Sequence, residues 1–343
     1  MASLAQPSTS VTSSKRRRAT ESESDHGALT FITSSFIGIP SQTARSAEFW
    51  FEDGNIIIQA EKTQFRVYRG VLSRHSVYFK NLFGEPESND KCLVDGCSVV
   101  RVSGTEVDWC KLLQAIHDFS QVKNASYSWP QLISLLRLGH AYQFDEIRSA
   151  IIAQMSTMFP SQLHDWDNAL AIPIDPKVPP VYLFEVAKVA IETGQKMLLP
   201  ALYLQCLRTH GLEIIYTGLR PPSNPVLQLS TLPAAVQSNL SVGRERLLVQ
   251  SLELFALYPL KSPDGDDRCT NPAKCTLRRT EATARRMAQI VKEIFPDNGD
   301  VDTGFCDYCT QIVVERKRDG RKRLWDALTY MFGLPVWTDL VVE

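Results

Sequence analysis

The stretch Phe65-Arg66-Val67-Tyr68-Arg69-Gly70-Val71-Leu72-Ser73-Arg74-His75-Ser76-Val77-Tyr78-Phe79 decides how this chain is read. Gln64 to Tyr68 alternates in character, as a half-buried strand does. From Arg69 to Phe83 the pattern turns helical. Val71, Leu72, Phe79, Leu82 and Phe83 supply the apolar positions, and Gly84 ends the run.

Upstream, Phe49-Trp50-Phe51 leads through the turn-prone Asp53-Gly54-Asn55 into Ile56-Ile57-Ile58, a β-branched run suited to a buried strand. Ordered structure is therefore expected to begin near Phe49. Downstream, Ser98 to Val102 forms another strand, stopped by Ser103-Gly104. Three helices follow. Thr105 and Asp108 have capping-box spacing ahead of a face made by Trp109, Leu112, Leu113, Ile116 and Phe119. Ser128 caps with Gln131, Pro130 fits the first turn, and Leu132, Leu135 and Leu136 form the stripe. Phe144, Ile147, Ile151, Met155, Met158 and Phe159 keep the helical period until Pro160. Three short strands with helices clustered on one side predict an α+β domain over residues 46–160.

Residues 65–79 resemble BTB/POZ domains, in which a strand delivers an F-x-V-H-R-x-V-L-x-x-x-S-x-x-F segment into a helical hairpin. Phe65, Val67, Arg69, Val71, Leu72, Ser76 and Phe79 carry the resemblance, with Asp53 to Ile58 in the expected place before them. The layout looks most like the BTB proteins abundant in mushroom-forming fungi. The resemblance implies a partner-docking surface and homodimerisation. Partners of relatives include cullin-type ubiquitin ligases and co-repressors. Two positions depart from the pattern. Tyr68 stands where the family commonly has His. Asn55 stands where many members have an Asp that forms a charged pocket with an Arg matching Arg69, so Arg69 is expected to lack that partner here.

At 343 residues the chain is long enough for two domains and a tail. Its 44% hydrophobic and 22% charged residues are a globular mixture, and a net charge of −1 gives no overall attraction to nucleic acid or acidic lipid. Met1 to Ser14 lacks the apolar core of a secretory signal. No apolar stretch approaches the ~20 residues of a membrane span. The most apolar run, Leu247 to Leu260, is broken by Gln250, Ser251 and Glu253. These features predict an intracellular protein of the nucleus or cytoplasm, whose eight cysteines serve as thiols or metal ligands. Residues 1–45 are polar and Ser/Thr-rich and are expected to be a disordered leader. Within it, Lys15, Arg16, Arg17 and Arg18 suit either the acidic groove of a nuclear import receptor or a merely solvated tail.

Residues 161–343 are expected to be mainly helical. Leu183, Phe184, Ala187, Ala190 and Ile191 form a stripe ended by Gly194. Leu198 to Thr209 and Val242 to Leu257 are further helices, with Gly218 to Pro233 as a connecting loop. Cys306-Asp307-Tyr308-Cys309 is a C-x2-C pair, a spacing that aims two thiolates at one ion. Cys269 and Cys275 form a looser pair in a segment read as a loop around Pro263, Gly265 and Pro272. Together they predict one structural zinc site or, alternatively, four free thiols or redox pairing. Cys92, Cys97, Cys110 and Cys206 are expected to be core or surface thiols. Arg316, Lys317, Arg318, Arg321, Lys322 and Arg323 are expected on the wet face of a helix whose apolar side is Ile312, Val313, Leu324, Trp325 and Leu328.

The phosphate-binding, nucleophile-elbow and zinc-protease motifs do not occur, and the six histidines are dispersed. His164-Asp165 with Asp167 is the stretch whose residue types suit acid–base work. The resulting expectation is a non-catalytic adaptor or scaffold. A nuclear DNA-associated regulator using the two basic stretches, and an enzyme of unrecognised type, are the alternatives.

Overall fold

Strand β2 (Ile56–Ala60) is buried along its whole length, which places it at the centre of a sheet. The computed structural model describes residues 43–85, 92–117, 127–171, 179–219, 229–256, 268–291, 293–299 and 304–341. Lys15 to Arg18, the leader as far as residue 42, Phe119 and most of the loop from Gly218 to Pro233 lie outside them. Among the described residues β2 pairs antiparallel with β3 (Thr63–Val67), setting Ile58 opposite Phe65, and parallel with β5 (Cys97–Val102), setting Ile57 opposite Val99. With β1 (Ala44–Trp50) and β4 (Leu93–Val94) the sheet has five strands, in the order β1-β3-β2-β5-β4.

Two of those strands carry little sequence signal. Strand β1 (Ala44–Trp50) begins the fold several residues before Phe49 and runs parallel to β3. It is an edge strand whose only buried side chain is Phe49, so no alternation announces it. Strand β4 (Leu93–Val94) is too short to show a period. Its turn into β5 is Asp95-Gly96, with φ of 47° and 75°, the paired positive angles of a type I′ hairpin.

The single helical stretch expected over residues 69–83 is two helices, α1 (Arg69–His75) and α2 (Val77–Gly84). Ser76 separates them in extended conformation, its Oγ accepting the Phe79 N–H (3.0 Å) and donating to the Tyr142 carbonyl (2.6 Å). Helix α3 (Glu106–His117) starts behind a capping box in which Thr105 Oγ1 accepts the Asp108 N–H (3.2 Å). Helix α4 (Trp129–Ala141) starts where Ser128 N–H donates to Gln131 Oε1 (3.0 Å), and α5 (Asp145–Met158) stops short of Pro160.

Helix α4 buries Ile133 and Leu138 as well as the expected Leu132, Leu135 and Leu136. It packs on α3, α5 and, from the C-terminal region, α7 (Leu183–Glu192). That region is mainly helical in its described residues. It comprises α6 (Leu163–Ala171), α7, α8 (Leu199–Thr209), α9 (Leu212–Thr217), α10 (Ala234–Ser251) with a π turn at Leu252–Ala256, α11 (Pro272–Gln289), α12 (Asp307–Asp326) and α13 (Leu328–Met331). One apolar core runs from Phe49 in β1 to Phe332 beyond α13.

The segment around Pro272 is a helix start and not a loop. Asn271 Oδ1 accepts the Lys274 N–H (3.2 Å), and Pro272 occupies the first turn, where no intrahelical donor is required of it. The wet face expected for α12 also needs correction at Arg321, which is only 3% exposed. Its two Nη groups donate to Asp167 Oδ2 (2.8 Å) and Oδ1 (2.5 Å), and Nε donates to the Pro296 carbonyl (2.9 Å). One turn on, Trp325 Nε1 donates to the Ser161 carbonyl (2.8 Å). Replacing Asp167 by Ala leaves a guanidinium buried without its carboxylate and is expected to cost about 3 kcal/mol. A urea unfolding midpoint equal to that of the unaltered chain would contradict this.

Candidate metal centre and interaction domain

The motif residues of the strand-to-helix segment serve the fold. Phe65, Val67, Leu72, Ser76 and Phe79 are all buried. The Phe79 ring is surrounded by Phe83, Trp109, Tyr142 and Phe144, with centroids 5.6–6.2 Å away. Val71 is half-buried. Asn55 Oδ1 accepts the backbone N–H of Arg69 (2.8 Å), capping α1 from across the turn. Arg69 is not left without a partner, since its guanidinium lies 4.9 Å from the centre of the Phe83 ring. Tyr68 stacks on Phe51 (5.1 Å) and donates its hydroxyl to Asp53 Oδ1 (2.6 Å), which pushes the phenol pKa up.

The second constellation is built by two helix starts. Cys306 is the N-cap of α12, Cys309 lies in its first turn, and Cys275 lies near the start of α11. With Cys269 they bring four sulfurs within 4.8 Å of one another. Cys269 Sγ is 3.8 Å from that of Cys306 and 3.6 Å from that of Cys309. Tetrahedral Zn–S bonds of about 2.3 Å would set sulfurs roughly 3.8 Å apart, so these residues fit such an ion. Positive ends of helix dipoles favour thiolates at this point. The Cys309 backbone N–H draws the Cys306 thiol down to about 6. Burial pushes Cys275 up and Cys309 to about 12. Arg279 Nη2 donates to Cys309 Sγ (3.3 Å), and Phe305 closes the small apolar cluster around the sulfurs.

Residues 51–158 match the sequence profile of the BTB/POZ domain. The chain contains a BTB/POZ domain. No curated protein and no solved structure matches the chain. BTB/POZ domains are protein-interaction modules, so strands β2 to β5 and helices α1 to α5 form an interaction domain followed by a mainly helical region.

Outside the BTB/POZ domain, the group suited to acid–base work is not assembled. Asp167 has both oxygens on Arg321, while His164 Nε2 meets the Asn168 side-chain amide (3.0 Å). The remaining cysteines are scattered: Cys92 exposed, Cys110 half-buried, Cys97 and Cys206 buried. Burial raises Cys110 to about 11 and Cys206 to about 12. Among the described residues no helix is long and apolar enough to cross a membrane.

These environments order the thiols by reactivity, because thiolate is the nucleophile. Near neutral pH, the exposed Cys92 is expected to be alkylated by iodoacetamide well before the buried Cys206. Peptide mass spectrometry along a time course checks this, and equal labelling of the two would contradict it.

Proposed function

We propose that this chain is a non-catalytic adaptor or scaffold that docks protein partners through its BTB/POZ domain and works as a homodimer. The observation carrying this reading is the BTB/POZ match over residues 51–158, on a segment whose shared motif residues are committed to the fold. The partner classes in view are a second copy, a cullin-type ubiquitin ligase or a co-repressor, met inside the cell in nucleus or cytoplasm. The DNA-associated reading draws less support. Arg321 is engaged by Asp167, and Lys317 donates to the Gly299 carbonyl (2.6 Å).

Cys269, Cys275, Cys306 and Cys309 hold one zinc ion in this proposal. Four protein ligands leave no open coordination position, so its role is structural. The make-up of α11 supports that role. Its buried residues are Cys275, Arg279 and Thr283, too little apolar surface to seat an eighteen-residue helix on its neighbours.

Light scattering at micromolar concentration is expected to give a dimer, and a strict monomer would overturn that part. Affinity purification with mass spectrometry separates a cullin from a co-repressor. Metal analysis is expected to give about one zinc per chain, lost in the Cys306→Ser/Cys309→Ser variant. A fully stable wild type without metal would remove the zinc.

A further inference from the structure

The four sulfurs of the cysteine centre are not equivalent. Cys275 and Cys309 are each 1% exposed, whereas Cys269 and Cys306 are half-buried. Three of the four receive N–H donors. The Cys306 N–H donates to Cys275 Sγ (3.3 Å), and Arg279 Nη2 donates to Cys309 Sγ (3.3 Å). The backbone N–H groups of Thr270 and Cys309 reach Cys306 Sγ. Among the described residues Cys269 Sγ meets only other sulfurs, those of Cys306 and Cys309. The chain itself contributes to this difference. Three residues past Cys306 stands Cys309, which gives its N–H, but three past Cys269 stands Pro272, which has none to give.

A metal-bound cysteine is a thiolate, and four of them leave surplus negative charge on the sulfurs around one divalent ion. N–H donors draw that charge off, which fixes a ligand in place and makes its sulfur a poorer nucleophile. Cys269 and Cys306 are equally open to a reagent, so the donors and not access set them apart. We propose that Cys269 is a modification site, the ligand through which the loaded centre reacts with peroxide and other soft electrophiles. This inference rests on the zinc reading above. With peroxide, the Cys269 thiolate takes the near oxygen, the O–O bond breaks and hydroxide leaves, giving the sulfenic acid. The thiolate of Cys306 or Cys309, 3.8 and 3.6 Å away, then attacks that sulfur and expels a second hydroxide. Two thiolates have together given two electrons to one peroxide, and a disulfide has formed. The zinc keeps only two of its ligands and is lost, so an oxidant unfastens the start of α11 from the start of α12 as a metal-held pair.

The test uses the unaltered full chain, with its zinc content measured first. N-ethylmaleimide is added to the loaded protein, labelling is followed by peptide mass spectrometry, and free zinc is read with a chromogenic chelator. Cys269 is expected to be labelled about tenfold faster than Cys306, the scale of one hydrogen bond to a charged sulfur, and ahead of Cys275 and Cys309. Zinc release is expected to keep pace with Cys269 and not with the other three. In a parallel series, limiting hydrogen peroxide is expected to give a disulfide joining Cys269 to Cys306 or Cys309, with about one zinc lost per disulfide and regained on reduction with zinc present. Labelling of Cys306 as fast as Cys269, or a Cys306–Cys309 disulfide that leaves Cys269 untouched, would overturn the proposal while the zinc reading stands. A chain that binds no zinc would remove both.

Discussion

Helix α4 buries apolar residues over more than half of its circumference, so it needs neighbours on more than one side. Each fully buried Leu or Ile contributes roughly 1.5–3 kcal/mol only while it stays covered. Helices α3 and α5 cover part of α4 from within the BTB/POZ domain, and α7 covers another part from the region that follows. The interaction domain and the helical region are thereby tied by a shared core, since separating them would bare a flank of α4. The Arg137–Glu192 pair across that joint (2.9 Å) is about half exposed and adds little. The paired Arg321 and Asp167 form a second tie, between α12 and α6, whose weight lies in the cost of leaving either charge alone.

Much of the BTB/POZ domain was legible because its signals are local. Capping pairs at Thr105/Asp108 and Ser128/Gln131 act over three residues, and Ile56 to Ile58 announces a buried strand without help from its neighbours. The break at Ser76 was hidden for a definite reason. Leu72 and Phe79 are seven residues apart, so the helical period runs on undisturbed through an interruption whose cause, the Tyr142 carbonyl, lies far along the chain. Strand β1 was missed because an edge strand exposed on most of its residues needs no apolar alternation. Arg321 reads as a solvent-facing cation in any local window, because its partner is 154 residues away. The start of α11 was hidden because Pro272 reads as a loop residue unless Asn271 is recognised as its cap.

The cysteine centre shows how spacing and local structure exchange information. The C-x2-C pair spans the N-cap and first turn of α12, which fixes where both sulfurs point. The looser pair made sense only once Asn271 and Pro272 were seen to start a helix between its members. Cys269 precedes the cap, and Cys275 follows it by one turn. Two helices beginning at the same four sulfurs supply the dipolar field that thiolates need. That arrangement also explains why α11 can turn Arg279 inward, where the guanidinium meets Cys309 sulfur.

Sequence distance between the two ends of the α6–α12 tie has a consequence for synthesis. Ser161 and Asp167 leave the ribosome long before their partners Trp325 and Arg321, which lie 164 and 154 residues further on. At about 5–20 residues per second that gap lasts roughly ten to thirty seconds. The BTB/POZ domain and α7, which covers a flank of α4, therefore have time to pack together on the nascent chain, and α12 arrives later onto that template. A message truncated before α12 would release a chain with its docking domain formed and Asp167 still awaiting a cation, a product for quality control to recognise.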